Sequence, residues 1–308
     1  MATLLDMINE VSMNLSGYTL QQDRATHITN DVAATASTIA APITLTLAST
    51  DSVGKGIIEI DEELFWVDNY DRVGNTATIA PYGRAYLGTT LAAHTAGTKV
   101  TIAPTFPRFV IKRAINDTIS AIGSSIFAAN TTTITSNSAV SAFRLPATGS
   151  SLNIRNILAI AYQALGSSKE WIPIRSYRFD GNANSTAFTS SQTVSIYDYI
   201  PSGRSVQIVY ATDPTPFTAN TENFATQTGL PDSCKDLIIL GATYRLLSNL
   251  DPARASMISP QADETDSKRP YGSSQSITKQ VYSLFNQRLN EEVKSQQEKY
   301  PIRVHYSL

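Results

Sequence analysis

Four acidic residues that lie close together are the strongest candidates for chemistry in this sequence. Glu59, Asp61, Glu62 and Glu63 end an apolar run that starts at Gly56. Alternation along a strand predicts that Glu59, Asp61 and Glu63 share one face. Paired carboxylates could carry out acid–base chemistry such as glycan hydrolysis, or could bind calcium, although the spaced Asp, Asn and Gly residues of an EF-hand loop are missing. The pattern favours an acidic stripe that faces solvent or a channel.

Histidine and cysteine are too sparse to predict a metal site. His27, His94 and His305 have no partner at the i+3 or i+4 spacing of a helical metal pair. Cys234 is the only cysteine, which excludes an intramolecular disulfide and a cysteine-based zinc site within one chain. The sequence therefore predicts no metal ligand.

Nucleophile and phosphate-binding motifs are also missing. No Gly-x-Ser-x-Gly elbow occurs, which is the usual setting of a serine nucleophile between a strand and a helix. The Gly54-Lys55-Gly56 segment lacks the earlier glycine and the following Ser or Thr of a phosphate loop, and no Gly-x-Gly-x-x-Gly is present. We therefore predict no catalytic residue, no cofactor and no enzymatic role.

Composition narrows the class of protein further. The chain has 308 residues, of which 42% are hydrophobic and only 16% charged, with a formal net charge of −2. This balance lacks the basic character of a protein that grips nucleic acid tightly. No stretch reaches the ~18 apolar residues of a membrane span, and the N-terminus lacks the pattern of a signal peptide. We expect a protein that is made and kept soluble, without a membrane partner.

Hydrophobic periodicity predicts which elements position these residues. Apolar residues at helical spacing predict helices at 3–16, 106–127, 151–166, 232–249 and 276–299. Runs of β-branched and aromatic residues, with Gly and Pro between them, predict strands in two blocks, 30–104 and 168–230.

These elements predict an α+β fold with a small helical bundle core, a β-rich insertion domain and a second β elaboration. The helical core is assigned to residues 1–29, 105–166 and 232–300. The insertion domain is 30–104, the strand elaboration is 167–231, and an extended C-terminal tail is 301–308.

One segment resembles a sequence that recurs in virion proteins of tailed bacteriophages. It runs from Tyr82 through Gly83-Arg84-Ala85-Tyr86-Leu87-Gly88-Thr89-Thr90-Leu91-Ala92-Ala93-His94-Thr95-Ala96-Gly97-Thr98-Lys99 to Val100. In those proteins it closes a small β domain. Gly88 and Gly97 permit tight turns, and Thr89 and Thr90 can bond the local backbone. His94 is interpreted as structural.

The order of elements also resembles that of head-to-tail connector proteins, the adaptors of tailed phages. That family forms a ring beneath the portal, and the resemblance implies a homo-oligomeric ring of twelve copies. Family members commonly reach the portal with the C-terminal segment. The corresponding portal-contacting residues here are Tyr300, Ile302, Arg303, Val304, Tyr306 and Leu308.

The resemblance implies a place in the virion and a set of partners. A neck protein would contact the portal above and a tail-side neck or terminator protein below, while genomic DNA passes through its channel without specific binding. Residues 30–104 contain eight acidic and four basic residues, and a channel of this charge would let DNA slide, since each neutralised phosphate strengthens binding. The alternative is a tail, baseplate or host-recognition protein whose β domains bind a surface.

Overall fold

A computed structural model describes residues 2–19, 23–137, 140–146, 153–165, 170–248 and 273–301. The fold is α+β, as the sequence predicts, with sheets inserted between and beside the helices. The chain divides into two compact units. Unit 1 comprises the described parts of Met1–Leu4, Asn116–Ile238 and Ser283–Leu308, and unit 2 comprises those of Leu5–Ile115 and Ile239–Tyr282.

Unit 2 contains a six-stranded antiparallel sheet. Its strands are β1 (Arg24–His27), β2 (Thr44–Thr46), β3 (Gly56–Ile60), β4 (Glu63–Asp71), β5 (Thr76–Ile79) and β6 (Lys99–Ile102). Their order is β1-β6-β3-β4-β5-β2. A bridge between Ile28 and Leu47, directly after β1 and β2, joins the two edge strands at one corner. The sheet therefore curls around an apolar core that includes Ile58, Phe65 and Val100.

The helices bury most of the predicted apolar stripes. They are α1 (Leu4–Thr19), α2 (Arg108–Ile122), α3 (Phe224–Thr228), α4 (Lys235–Leu247) and α5 (Ser273–Lys299). In α1 the stripe of Leu4, Ile8, Val11 and Leu15 is at most 1% exposed. α2 is shorter than the predicted 106–127. On α5, Leu284 is 46% exposed, although its spacing predicts a buried position.

Unit 1 contains two further sheets. Their strands are β7 (Ala128–Thr135), β8 (Ala142–Arg144), β9 (Ile154–Gln163), β10 (Trp171–Pro173), β11 (Tyr177–Asp180), β12 (Thr193–Ile196) and β13 (Ser205–Thr212). One sheet has the order β10-β9-β13-β7 and the other has the order β11-β12-β8. A shared cluster of buried residues, including Ile160 from the first sheet and Val194 from the second, packs between them.

The predicted helix at 151–166 is wrong, because its central residues form strand β9. Opposite β13, Val209 pairs with Ala159 and Tyr210 with Ile157, and a second shift follows before Ile154. Each bulge adds one residue to β9, so the buried isoleucines fall three residues apart. That spacing imitates a helix face. The second β region consequently starts at Ala128, within the predicted helical core, rather than at 167.

Within the described ranges, no helix is both long enough and apolar enough to cross a membrane.

Candidate functional site

Residues 82–100 fold against the β3–β4 hairpin of unit 2. Gly88 and Gly97 have φ angles of 81° and 88°, the left-handed region that glycine adopts without strain. The Thr89 hydroxyl donates to the Tyr86 carbonyl at 3.0 Å and accepts from the Leu64 N–H at 3.1 Å. These contacts confirm the turn and local-bonding roles expected for Gly88, Gly97 and Thr89.

The predicted acidic stripe of Glu59, Asp61 and Glu63 is wrong. Ile60 pairs with Glu63, so Asp61 and Glu62 form a two-residue turn and the chain reverses between Glu59 and Glu63. Directly opposed residues share a face, which places Glu63 beside Ile60 and Glu59 on the other side of the sheet. Glu59 is 3% and Glu63 is 1% exposed. Only Asp61 of the three is open to solvent.

Glu63 is the centre of a buried ion cluster. Arg84 binds it with two parallel hydrogen bonds, from Nε to Oε1 at 2.9 Å and from Nη2 to Oε2 at 2.8 Å. The backbone N–H groups of Ala85 and Ala92 donate to the same two oxygens at 3.0 and 2.9 Å. A bidentate Arg–carboxylate pair fixes orientation as well as distance. Glu63 thus ties together both ends of the loop from Arg84 to Ala92.

The guanidinium of Arg84 has partners on its other side. It donates to the carbonyl oxygens of Ala33, Thr35 and Ala92. Its central carbon lies 4.9 Å from the centre of the Phe65 ring, which is a cation–π distance. The charge is therefore compensated although Arg84 is only 5% exposed.

His94 completes the cluster with two carboxylate contacts. Its Nδ1 lies 2.7 Å from Asp61 Oδ2 and its Nε2 lies 3.0 Å from Glu63 Oε2. Burial by itself would lower the pKa of His94, but the hydrogen bonds to Asp61 and Glu63 outweigh it and raise the pKa to about 9. Burial would likewise raise the pKa of Glu63, yet the bonds from His94 and Arg84 lower it to about 2. At neutral pH both groups are charged.

The contacts of this cluster decide what chemistry it can perform. A protonated imidazole that donates from both nitrogens has no lone pair for a metal ion. Glu63 already accepts five hydrogen bonds, and Glu59, its proposed partner in acid–base chemistry, lies on the opposite face of the sheet. Among the described residues, no group of three His, Cys, Asp or Glu side chains is placed to hold a metal ion. The cluster is a structural clamp.

Glu59 serves the start of a helix instead. Its Oε1 accepts the N–H of Arg108, the first residue of α2, at 2.5 Å. A carboxylate is favourable at a helix N-terminus because the free N–H groups and the helix dipole carry partial positive charge. Burial is nevertheless the larger effect, and it raises the pKa of Glu59 to about 7.

The loop that Glu63 ties together, with the residues just before it, exposes apolar side chains to solvent. Tyr82 is 73% and Leu87 is 65% exposed. Trp66, on the neighbouring strand β4, is 37% exposed and its ring lies 5.2 Å from that of Tyr86. Tyr82, Ala85 and Leu87 all have positive φ angles, which cost energy for residues with a side chain. We call residues 82–91 together with Trp66 the apolar loop surface, and it is the candidate functional site.

A second cluster, within unit 1, joins the start of α4 to α5. Arg288 on α5 binds Asp236 of α4 at 2.7 Å and Glu292 at 2.7 Å, and it also donates to the carbonyl of Ser233. Glu292 in turn accepts from the thiol of Cys234 at 3.5 Å. Burial, together with the charge of Glu292, raises the pKa of Cys234 to about 12. The thiol is consequently an inert part of this helix contact.

Of the residues expected to contact a portal, only Tyr300 belongs to the described residues. It is half-buried, and its ring lies 5.9 Å from that of Phe127. Tyr300 therefore anchors the end of α5. The remaining ones lie outside the described residues: Ile302, Arg303, Val304, Tyr306 and Leu308.

Sequence reasoning missed the ion cluster, although its members were visible. Arg84 and His94 both fall in the segment 82–100, but their common partner Glu63 lies 21 and 31 residues away. The available signal was that Arg84 and His94 stand among small and apolar residues, since a charged group in such surroundings needs a buried partner.

No protein-family profile matches the chain, and no curated protein sequence is significantly similar to it.

Proposed function

We propose that the chain is a structural virion protein of a tailed phage, an adaptor that forms a homo-oligomeric ring between portal and tail. The observation that carries this proposal is the apolar loop surface. Its sequence is the one that resembles phage virion proteins, and its exposed Tyr82 and Leu87 stand on a loop clamped by Glu63. Exposed apolar groups on a rigid support suit contact between proteins, because little entropy is lost on binding.

The accessible charge of the insertion supports the second part of the proposal, which is passage of DNA without specific binding. Burial removes Glu59, Glu63 and Arg84 from the surface of residues 30–104. The charged residues that remain accessible are Asp31, Asp51, Asp61, Glu62, Asp68 and Asp71 against Lys55, Arg72 and Lys99. Such a surface repels phosphate, and the absence of counterion release keeps DNA affinity low.

The adaptor would work in the virion neck, after synthesis in the host cytoplasm. Its partners would be further copies of itself in a ring of twelve, the portal through the C-terminal segment, and a tail-side neck or terminator protein. In this role the chain performs no catalysis and needs no cofactor. Its contribution is to hold a fixed geometry between two rings.

Electron microscopy of the purified protein mixed with portal rings tests the proposal. A ring stacked on the narrow end of the portal, with matching or commensurate symmetry, is the expected result. Trimers, or β-rich particles that do not bind the portal, would contradict the adaptor proposal and favour a tail, baseplate or host-recognition role. Glycan binding would point the same way.

A pair of matched variants tests the apolar loop surface within the same experiment. Leu87→Asp introduces a charge at a left-handed position that aspartate tolerates, so the loop should keep its backbone while the ring fails to close. Val73→Asp is the control, because Val73 is 96% exposed in the β4–β5 turn of the same unit. If rings form equally well with both variants, the apolar loop surface is not part of the assembly interface.

A further inference from the structure

Strand β7 has one edge to which no described strand is hydrogen-bonded, and we call it the open edge of the four-stranded sheet. The strand pairs with β13 along all eight residues and stands last in the sheet order, with no other described strand beside it. Just beyond β7, the N–H of Ser136 donates to the Arg204 carbonyl at 2.7 Å. Hydrogen bonds in an antiparallel ladder alternate along the strand. The backbone groups of Ala129, Thr131, Thr133 and Thr135 therefore point to the open edge.

A side chain from α5 already occupies the first position on that edge. Phe127 precedes β7 and falls in the same alternating series as Ala129. Its N–H donates to Gln296 Oε1 at 3.1 Å, and its carbonyl accepts from Gln296 Nε2 at 2.6 Å. The amide of Gln296 thus makes the two bonds that a residue of a neighbouring strand would make.

The chain leaves α5 at the same place. Tyr300 lies one turn after Gln296 and packs on Phe127, and the helix ends at Lys299. Pro301 follows Tyr300, and after it comes Ile302-Arg303-Val304-His305-Tyr306-Ser307-Leu308, in which apolar and polar residues alternate. Seven residues at ~3.3 Å each span ~23 Å, which matches the ~26 Å of an eight-residue strand.

The two faces of β7 match this alternation. Thr131, Thr133 and Thr135 are exposed on one face, while Ile134 on the other packs against the buried cluster of unit 1. A strand with Ile302 and Val304 on the Ile134 side would place its polar residues beside the threonines.

We propose that residues 302–308 add as a strand to the open edge of β7 in the same subunit, parallel to β7. Backbone hydrogen bonds supply the attraction in this mode of recognition, and alternate side chains supply the fit. Attachment at Tyr300 makes the pairing intramolecular, which gives the segment a high effective concentration at the edge. The added strand would still offer its own outer edge and its solvent-facing side chains to a portal, so the inference does not depend on the proposed function.

Engineered cysteine pairs test the proposal in the full chain. Thr133→Cys is combined in turn with Arg303→Cys, His305→Cys and Ser307→Cys, which fall on the threonine face. Neighbouring strands hold such residues within disulfide range. Val304→Cys and Tyr306→Cys are the matched controls, because they fall on the opposite face. After mild oxidation, peptide mapping should find an intrachain disulfide with an odd-numbered position and at least tenfold less with either even-numbered one.

Three outcomes would overturn the proposal. They are no cross-link at any position, equal cross-linking of odd and even positions, and disulfide-linked dimers, which would place the segment on another copy. Hydrogen exchange gives a second measurement that needs no cysteine. The amides of Thr131 and Thr133 should lose at least tenfold protection when residues 302–308 are deleted, while those of Thr132 and Ile134, bonded to β13, keep theirs and report an intact sheet. Unchanged exchange at Thr131 and Thr133 would also overturn it.

Discussion

Replacing His94 by glutamine should remove most of the pH dependence of unit 2 stability between pH 7 and 9. In the folded protein His94 is 3% exposed and contacts Asp61 and Glu63, which raise its pKa from 6.5 to about 9 despite burial. The folded state therefore holds this proton more tightly than the unfolded chain. The stabilisation is fully present below pH 6.5 and is lost as the pH rises through 9.

The size of the effect follows from the difference between the two pKa values. At about 1.4 kcal/mol for each pKa unit, the shift from 6.5 to about 9 corresponds to about 3 kcal/mol of unfolding free energy. The lowered pKa of Glu63 describes the same contact from the carboxylate side, so the two contributions are not added. The amide group of glutamine can still donate hydrogen bonds but carries no charge. The gap between parent and His94→Gln should narrow from about 3 kcal/mol at pH 6 to a small remainder above pH 9.

Tryptophan fluorescence can follow unit 2 separately. The chain has two tryptophans, and Trp66 lies on β4 whereas Trp171 lies on β10 in unit 1. A Trp171→Phe background leaves Trp66 as the reporter, with Tyr86 close to its ring. Urea unfolding of this background with and without His94→Gln, at pH 6, 7, 8 and 9, gives the free energy at each pH.

The control variant is His27→Gln, since His27 is an exposed residue of β1 in the same unit. This variant makes the same histidine-to-glutamine change outside the ion cluster, and its urea midpoint should equal that of the parent. The reasoning is refuted if His94→Gln keeps the parental slope between pH 7 and 9, or if it is as stable as the parent at pH 6.

Three further predictions use the same chain. Glu59→Gln should be more stable than the parent at pH 8, because a pKa raised from 4.5 to about 7 makes the parent lose up to about 3 kcal/mol as the pH rises through that range; urea unfolding at pH 5 and 8 checks this, and an equal difference at both values would contradict it. Gly83→Ala should cost about 1–3 kcal/mol, because its Cβ would lie 2.8 Å from the Ala80 carbonyl oxygen, whereas Gly54→Ala meets nothing within 4 Å; similar urea midpoints for the two variants would be the opposing result. Cys234 should resist a thiol-specific disulfide reagent until unit 1 opens, since it is 1% exposed with a pKa near 12; labelling within seconds in the native protein would speak against this.

Strand predictions were correct where apolar and polar residues alternate regularly, and they were wrong where this alternation is interrupted. Strands β3 and β6 fall inside the predicted block 30–104, where Gly56 and Lys99 begin short β-branched runs beside turn residues. β9 was mistaken for a helix because two bulges change its buried spacing from two residues to three. β7 was missed because its threonines carry little hydrophobic signal, although it pairs fully with β13.

The candidate site was predictable only in part, and the reason is geometric. The sequence drew attention to the segment 82–100, and its glycines predicted the turns at Gly88 and Gly97. Whether Asp61 continues a strand or turns it depends on one φ angle, which is 56° here, and that single reversal moves Glu63 into the interior. The pairing of Glu63 with Arg84 and His94 then depends on the curl of the sheet, which no local pattern encodes.

The ion cluster is better explained by the shape that it imposes than by the stability that it adds. Taking three charged groups out of water costs nearly as much as their attraction returns, so an apolar trio could serve equally well in a core. An apolar trio, however, could not bond the N–H groups of Ala85 and Ala92 or the carbonyls of Ala33 and Thr35. The bond to the Ala85 N–H acts at a residue in the left-handed conformation, and the bond to the Ala92 N–H fixes the other end of the loop that contains Leu87. Directional bonds buried beneath the strained loop therefore fix its exposed apolar side chains in one arrangement. The proposed contact between identical subunits would require this, because every copy must present the same surface.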